Sequence, residues 1–490
     1  MKNITKIVSL GLASVSLLSL AACGGGTTKQ RGDREIIFEY LDAGFGDEPY
    51  VAVAEAFMAK YPEITVTLCP NRELTGTLNN SLSSNTNVSD IYSYQYSSGL
   101  RTWITNGYVE DLTALCDTEI PGDGRTVRQS MIGNTEECMK LDGKIYAVPE
   151  YTNVTGFIYN MDLFEQYGWK IPNNTKEFEA LCKQIIKDTK GEVDPIIWCR
   201  DADGYLYFAS ENWITQYAGV ANMDKFYEYN SKEIYALQDN DAGSLYSAKV
   251  AALENLVKFL VPEGDYTYDN SRTEDYMKAQ LKVIKGECAM MLNGAWFENE
   301  MSKELSLPEY KDTKIGMFAV PEIADTNGEP IHMDGYTTVD AEGKEATEGK
   351  RVINASHGAY YFIPSMAKNK EDAKTFFLYL NSKEACEIYT KHANVVRPFD
   401  YDYGEGSSVY NEVSVFGKSV LKMADEHYLY APASNSPLDW LSVAGLWPQG
   451  NRVERQILSD SSLTINADEW LQKDYNFANK MWDTWQGLLK

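Results

Sequence analysis

The chain has 490 residues, of which 44% are hydrophobic and 24% are charged. A chain of this length can bury a large core and form two or more domains. Its 71 acidic and 45 basic residues give a formal net charge of −26. This acidity argues against nucleic acid and anionic lipid surfaces as partners, because both attract basic proteins, and it suits a self-repelling protein outside the cell.

The first 22 residues predict a signal peptide. Lys2 and Lys6 precede an apolar run over 7–20 that is too short and too rich in serine for a membrane span. The run ends on Leu-Ala-Ala-Cys, which resembles a lipoprotein signal, and the resemblance implies that Cys23 is acylated and anchored at the extracellular face of the cell membrane. A plain signal peptide before an unrelated cysteine is the alternative. Residues 23–34 then read as a flexible tether.

Seven cysteines follow this segment, at positions 69, 116, 138, 182, 199, 288 and 386. Their odd number, their wide spacing and the absence of C-x-x-C argue against a disulfide framework, although one or two bridges are compatible with the pattern. We expect most of them to be buried thiols that act as small apolar residues.

Residues 35–68 predict a parallel β-α-β unit. Residues 35–41 and 64–68 are rich in apolar and β-branched side chains and predict strands. Apolar residues at intervals of three and four between 53 and 61 predict the helix that joins them. Two parallel strands joined in this way require a right-handed crossover.

Two positions at the expected end of this sheet are candidates for ligand binding. The loop 42–46, with Phe45, follows the first strand, and Gln95 closes a further predicted strand over 88–94. In open α/β sheets, ligands bind outside the carboxyl ends of the strands. A plain connector is the alternative reading of the loop.

A turn, a short strand and a forced break follow one another in residues 141–161. An Asp-Gly dipeptide forms the turn, and Pro149 must end the strand because proline cannot donate a hydrogen bond to a ladder. By pattern alone, the segment is either a surface meander or a crossing between two lobes beside an exposed pair, Glu150 and Tyr151.

Two segments resemble the extracellular solute-binding proteins that feed sugar ABC importers. The first is DGKIYAVP at 142–149, followed by GFIYN at 156–160. The second is GECAMMLNGAW at 286–296, which in that family returns the chain across the lobes and turns the tryptophan toward the cleft. The resemblance covers most of 35–395 and fades in the aromatic-rich tail.

This resemblance implies an α/β, two-lobed, periplasmic-binding-protein-like fold of class II, with discontinuous lobes joined by a multi-segment hinge. The chain is expected to cross between lobes near 149–151, near 293–296 and near a third strand at 360. The expected lobes are 35–149 with 294–360 for the N-terminal lobe, and 150–293 with 361–490 for the C-terminal lobe.

No catalytic or metal motif accompanies these segments. The sequence lacks G-x-S-x-G, H-E-x-x-H, a P-loop and G-x-G-x-x-G. Asp-rich turns at 201–204 and 239–241 lack the remaining ligands of an EF-hand, so a hairpin turn is favoured over calcium. We therefore expect no enzyme activity, no cofactor and no metal. A carboxylate pair for glycoside hydrolysis stays open, because its separation is a property of the fold.

The feature of the sequence that favours a carbohydrate site is its aromatic content: 33 Tyr, 17 Phe and 10 Trp make up 12% of the chain. Flat rings cover the apolar faces of a sugar, and polar side chains satisfy its hydroxyl rim. Most of these aromatic residues must still belong to the core or the surface. The candidate ligand-binding residues are Trp296, Glu150, Tyr151, Phe45, Gln95, Trp213, Asn293, Arg397 and Trp447.

The expected function is therefore that of a lipid-anchored, monomeric receptor. It would capture a carbohydrate, an oligosaccharide in the first place, by hinge closure and deliver it to the permease subunits of an ABC transporter. A surface-anchored carbohydrate-active enzyme is one alternative. A binding lipoprotein for a peptide or a polyamine is another, and for polyamines the acidity of the chain would be the reason.

Overall fold

The fold was analysed in a computed structural model of the chain. Its described residues are 32–431 and 467–488, except 43, 96–97, 134, 137–139, 203, 229–231, 233–236, 238–244, 261–265, 334–335, 339–346 and 348. The predicted signal peptide, Cys23 and Trp447 lie outside the described residues, as does most of the predicted tether.

Two mixed sheets and a short hairpin contain the described strands. The strands are β1 Glu35–Tyr40, β2 Thr65–Pro70, β3 Ile91–Gln95, β4 Lys140–Leu141, β5 Lys144–Ile145, β6 Val148–Pro149, β7 Thr152–Asn160, β8 Asp194–Ile197, β9 Cys288–Gly294, β10 Ile315–Phe318, β11 Arg351–His357, β12 Ala359–Phe362 and β13 His427–Tyr430. β4 and β5 form the hairpin, and the other strands belong to the two sheets.

Helices cover both sheets. They are α1 Glu48–Lys60, α2 Leu74–Ser84, α3 Ser98–Thr105, α4 Thr113–Cys116, α5 Val127–Ser130, α6 Met161–Tyr167, α7 Thr175–Thr189, α8 Tyr205–Ala218, α9 Val220–Glu228, α10 Tyr246–Leu260, α11 Tyr276–Lys285, α12 Phe297–Glu300, α13 Ser302–Leu305, α14 Lys370–Leu380, α15 Lys383–Ala393, α16 Ser408–Glu412, α17 Val415–Glu426 and α18 Ala467–Leu488. No helix in the described part of the chain is long and apolar enough to cross a membrane.

The first lobe is built on a five-stranded sheet with the order β2-β1-β3-β12-β6. β1 is parallel to β2 and β3, which confirms the predicted β-α-β unit, and β12 runs antiparallel to β3 and β6. Phe38 of the sheet, Phe57 of α1 and Phe376 of α14 meet edge to face in its core. Burial of such rings is a main source of the stability of this lobe.

The second lobe is organised around β7, whose nine residues are almost all buried. β9, β10 and β11 all pair antiparallel with β7, and β8 and β13 extend the sheet on either side. Strands of this length and burial form the centre of a sheet, because both of their faces can be covered by helices.

The sheet pairings correct the predicted lobe boundaries. β10 and β11 lie within 294–360 but belong to the second sheet, whereas α14 and α15 lie beyond 360 but pack on the first lobe. The chain changes sheets between β6 and β7, as predicted near 149–151, and between β11 and β12, as predicted near 360. It does not change sheets at 293–296, because β9 and β10 both pair with β7. The third crossing follows α15.

Two local predictions can be checked directly. Asn174 caps α7 by accepting a hydrogen bond from the Glu177 amide at 2.9 Å, and the Glu177 carboxylate accepts one from the Asn173 amide at 2.7 Å. Cys69 takes part in a disulfide. The expectation of buried thiols is confirmed for Cys116, Cys182, Cys199, Cys288 and Cys386.

Candidate ligand-binding cleft

The three crossing segments lie side by side and are joined by backbone hydrogen bonds. The Glu150 amide donates to the Ala359 carbonyl at 2.7 Å, which joins the first crossing to the second. The Thr152 amide donates to the Val396 carbonyl at 2.9 Å, which joins the first crossing to the third. These bonds hold the three crossings together as one strip of extended backbone between the two sheets, which makes this strip the candidate hinge.

The Glu150 carboxylate is fully buried at this hinge. It accepts short hydrogen bonds from the Ser93 hydroxyl and the Tyr389 phenol. Burial raises the pKa of Glu150, and hydrogen bonds from Ser93, Tyr389 and Tyr50 partly oppose that rise. Every one of these partners belongs to the first lobe or to its covering helices, so Glu150 fastens the crossing to that lobe.

Arg397 is the cation of the same network and is 1% exposed. Its Nε donates to the Glu150 carbonyl at 2.6 Å, one terminal nitrogen donates to the Leu380 carbonyl, and the other donates to Asn381 Oδ1 at 3.2 Å. The guanidinium also lies within 6 Å of three aromatic ring centres, those of Tyr361, Tyr389 and Phe399. Arg397 therefore clamps the third crossing to the first.

The positions of Glu150 and Arg397 differ from the prediction that both contact the ligand. Their side chains lie beneath the cleft and bind groups of the protein itself. The physical reason is that a polar group buried at the hinge must find a partner within the protein, and each of these groups has done so.

Trp213 and Asn293 also lie in the core of the second lobe rather than on the cleft. Trp213 is fully buried, and its indole N–H donates to the Pro321 carbonyl at 2.9 Å. Asn293 is fully buried on β9, where its amide nitrogen donates to Gln280 Oε1 at 3.2 Å. Their hydrogen bonds are thus made within the lobe.

Phe45 and Tyr151 stand on the first-lobe side of the cleft. Their rings meet edge to face, with 5.0 Å between centroids, and both side chains are mostly buried. They border a cavity of about 20 Å³, which has room for about one water molecule. This space is therefore too small for a sugar ring in the described arrangement.

Trp296, which follows β9 of the second lobe, is one of three clustered aromatic rings, and a Cβ on Gly44 of the loop 42–46 would lie 3.3 Å from its own Cβ. Its indole N–H donates to the Tyr205 hydroxyl at 2.9 Å, and its ring centre lies 5.9 Å from that of Tyr205 and 5.8 Å from that of Phe208. Trp296 is only partly buried. The cluster therefore presents a rigid aromatic surface that is fixed by its own hydrogen bond.

The two lobes touch where the loop 42–46 meets α12. The Asn299 amide nitrogen donates to the Phe45 carbonyl at 3.1 Å. The other side-chain atom of this amide, Oδ1, is buried and accepts no hydrogen bond in the described structure. An unpaired buried acceptor costs free energy, so a hydroxyl donor at this point would be favoured.

Gln95 is the last residue of β3 and is paired with Ala359. Its backbone therefore lies at the carboxyl end of the first sheet, as predicted, next to the second crossing. Trp447 lies outside the described residues. Of the predicted residues, Phe45 and Tyr151 contact each other, and Trp296 lies beside the loop that carries Phe45; their contact with a ligand stays a prediction.

Sequence reasoning missed Tyr205, Phe208 and Asn299. Tyr205 and Phe208 stand three residues apart on α8 and so share a helix face. Asn299 follows Trp296 by three residues at the start of α12, which places the two side chains on the same side. The signal for Asn299 was therefore present in the spacing, but its helix is only four residues long.

The described residues contain no group of three or more histidine, cysteine or carboxylate side chains that could hold a metal ion. The aspartates at 239 and 241 and Asp203 lie outside the described residues.

Comparison with known proteins places the chain in a family. Residues 46–385 match the family described as bacterial extracellular solute-binding proteins, so the chain belongs to that family. The chain is 22% identical over 362 residues to the multiple sugar-binding protein of Streptococcus mutans, a match that covers 72% of this chain and 78% of the relative.

Solved structures of the same type share the fold. The apo form of RafE from Streptococcus pneumoniae superimposes with a TM-score of 0.65 at 17% identity, covering 92% of this chain and all of RafE. A structure of RafE in complex with raffinose gives a TM-score of 0.60 at 18% identity, covering 91% of this chain and 99% of RafE. The two-lobed fold expected from the sequence is thereby confirmed.

Proposed function

We propose that this protein is a lipid-anchored extracellular receptor that captures an oligosaccharide and delivers it to the permease of an ABC transporter. Its lobes close on the ligand about the hinge, and binding energy favours the closed arrangement only to the extent that the ligand binds that arrangement more tightly. The expected working form is a monomer.

The observation that carries this proposal is the presence of two aromatic groups beside the loop 42–46, the Phe45–Tyr151 pair and the Trp296 cluster. Phe45 and Tyr151 on one side and the Trp296 cluster on the other can cover both faces of a pyranose ring. Asn299 Oδ1, which has no partner among the described residues, supplies an acceptor for a sugar hydroxyl. The sugar ligands of the similar proteins agree with this chemistry.

A panel of oligosaccharides tests the proposal. The purified mature protein is incubated with raffinose, maltotriose, xylotriose, cellotriose and chitotriose, and with spermidine and a tripeptide, while melting temperature and product formation are recorded together. We expect at least one saccharide to raise the melting temperature and to be recovered intact. Release of a shorter sugar would favour the enzyme, and a shift with spermidine or the tripeptide alone would exclude the sugar receptor.

The lipid anchor has a separate test. The proposal rests on the sequence Leu20–Cys23, and the thiol at position 23 is the group to be acylated. Cys23→Ser is expected to move the protein from the membrane fraction to the medium. A matched substitution of the nearby Thr27→Ser should leave it on the membrane. Retention of both variants in the membrane fraction would contradict the anchor.

A further inference from the structure

A second and larger cavity lies at the hinge. Its volume is about 240 Å³, compared with about 20 Å³ for the space beside Phe45 and Tyr151. It is bordered by all three crossings, through Thr152 of the first, His357 at the end of β11, and residues 396–398 of the third. Residues of both lobes complete the wall, so its shape depends on the angle between them.

This hinge cavity opens on the face opposite the cleft. Tyr151 borders the cleft cavity, and the next residue, Thr152, borders the hinge cavity. Successive side chains of extended backbone point to opposite sides, so the two cavities lie on opposite sides of the first crossing. No described residue lines both of them.

The described lining of the hinge cavity contains no carboxylate, although the protein is strongly acidic. Its exposed cation is Lys350, whereas Arg397 is already bound to protein oxygens. Burial lowers the pKa of His357 and of His427 to about 4, so both histidines are neutral near pH 7. Lys350 is exposed and makes no ion pair with any described residue. In a chain with a net charge of −26, a wall of this composition attracts anions.

One buried group in the lining lacks a partner. Nδ1 of His357 lies 3.1 Å from the Thr152 hydroxyl, whereas Nε2 is buried and makes no hydrogen bond with any described residue. Leaving a buried ring nitrogen without a partner is unfavourable. An anionic occupant with oxygen atoms could hydrogen-bond to Nε2 and form an ion pair with the Lys350 ammonium group.

We propose that the hinge cavity binds a small anion that carries a carboxylate or phosphate group, held by Lys350 and His357. Lys350 belongs to the second lobe, and the wall of the first lobe is formed by residues 132, 133 and 135. Closing the cleft moves the lobes apart on the opposite side of the hinge, and opening it brings them together there. An occupant that fills the hinge cavity therefore resists opening and favours closure. Anion and sugar binding are then coupled, and each raises the affinity for the other.

Calorimetric titration of the purified mature protein tests the site itself. Inorganic phosphate and citrate are titrated separately, with sodium chloride at equal ionic strength as the reference, into the native protein, Lys350→Met and Lys350→Arg. We expect saturable binding of at least one probe, weaker by about tenfold or more in Lys350→Met and kept within a few fold in Lys350→Arg. Absence of saturable binding, or equal binding by Lys350→Met, would overturn the proposal.

The coupling rests on the proposed sugar receptor and is measured afterwards. For a saccharide identified by the panel, the saturating anion is expected to strengthen binding by about fivefold, and Lys350→Met should abolish that gain. An unchanged sugar affinity would overturn the coupling. The anion titration needs no sugar, so a panel without any saccharide ligand would leave its result fully interpretable.

Discussion

Around Glu150 and Arg397 the buried polar groups of the hinge satisfy one another, whereas the cleft presents aromatic rings and an acceptor, Asn299 Oδ1, that lacks a partner among the described residues. Arg397 donates to three first-lobe or hinge oxygens. Asn299, where the loop 42–46 meets α12, keeps Oδ1 without a partner among the described residues. The hinge network therefore contributes to stability, and the cleft surface is left available for a ligand. Substitutions in the two regions should separate these two properties.

The largest effect is expected at the centre of the hinge. Arg397→Met removes the partner of three buried oxygens and should lower the free energy of unfolding by about 3 kcal/mol or more, measured by urea titration. Arg34→Met is the matched control, because Arg34 is about half exposed in its ion pair with Asp372, and exposed pairs contribute little. An equal loss of unfolding free energy in both variants would contradict the role of Arg397 in holding the crossings together.

His357 should make stability depend on pH. Burial lowers its pKa from 6.5 to about 4, so the unfolded chain binds a proton between these values and the folded chain does not. Stability is then present above pH 6.5 and falls as the pH drops toward 4, by at most about 3 kcal/mol. His357→Gln should make the urea midpoint of unfolding depend less on pH over that range. An unchanged slope would exclude the buried neutral imidazole.

Glu150 should make stability depend on pH in the opposite direction. Burial raises the pKa of its carboxyl group above 4.5, so the folded chain keeps a proton that the unfolded chain loses. Stability from this group is present below pH 4.5 and is lost as the pH rises through the native pKa. Glu150→Gln should therefore make stability rise more steeply with pH above 4.5. A change in the same direction as His357→Gln would contradict this assignment.

Trp296 tests the cleft itself. Trp296→Ala should weaken binding of the identified saccharide by about 2 kcal/mol, or about 30-fold, while Trp296→Phe keeps an aromatic face and most of the affinity. Calorimetry gives the affinities, and melting in the absence of sugar serves as the folding control. Full affinity in Trp296→Ala would remove this residue from the site.

A smaller effect is expected where glycine makes room for that ring. A Cβ on Gly294 would lie 2.2 Å from the Trp296 indole, so Gly294→Ala must displace the ring without removing it. Saccharide binding should weaken by about tenfold or less, since the aromatic surface remains nearby. Gly76→Ala is the matched control, because a Cβ there meets no atom within 4 Å. An unchanged affinity in Gly294→Ala would show that ring position is unimportant.

Local elements could be predicted from the sequence, because their causes are local. The β-α-β unit around β1 follows from periodicity, and the start of α7 follows from Asn174 and Glu177. The break at Pro149 is also local, and it placed the first crossing correctly. The residues Phe45, Tyr151 and Trp296 were selected by their position beside these elements and by the family resemblance.

Long-range pairing could not be predicted in the same way. β7 accepts β9, β10 and β11 as partners, and β11 lies about 200 residues further along the chain, so no local pattern assigns residues 315–357 to the second sheet. The burial of single side chains could not be predicted from the sequence either. Trp213 points into the lobe because of how α8 packs, and aromatic composition carries no information about that orientation.

The central claim is that a sugar ring binds between the two aromatic surfaces. A crystal structure of the mature protein with the saccharide identified by the panel tests this most directly. We predict a ring stacked on Trp296, within reach of Phe45 and Tyr151, with a hydroxyl donating to Asn299 Oδ1. A saccharide bound elsewhere, away from these aromatic side chains, would contradict the account.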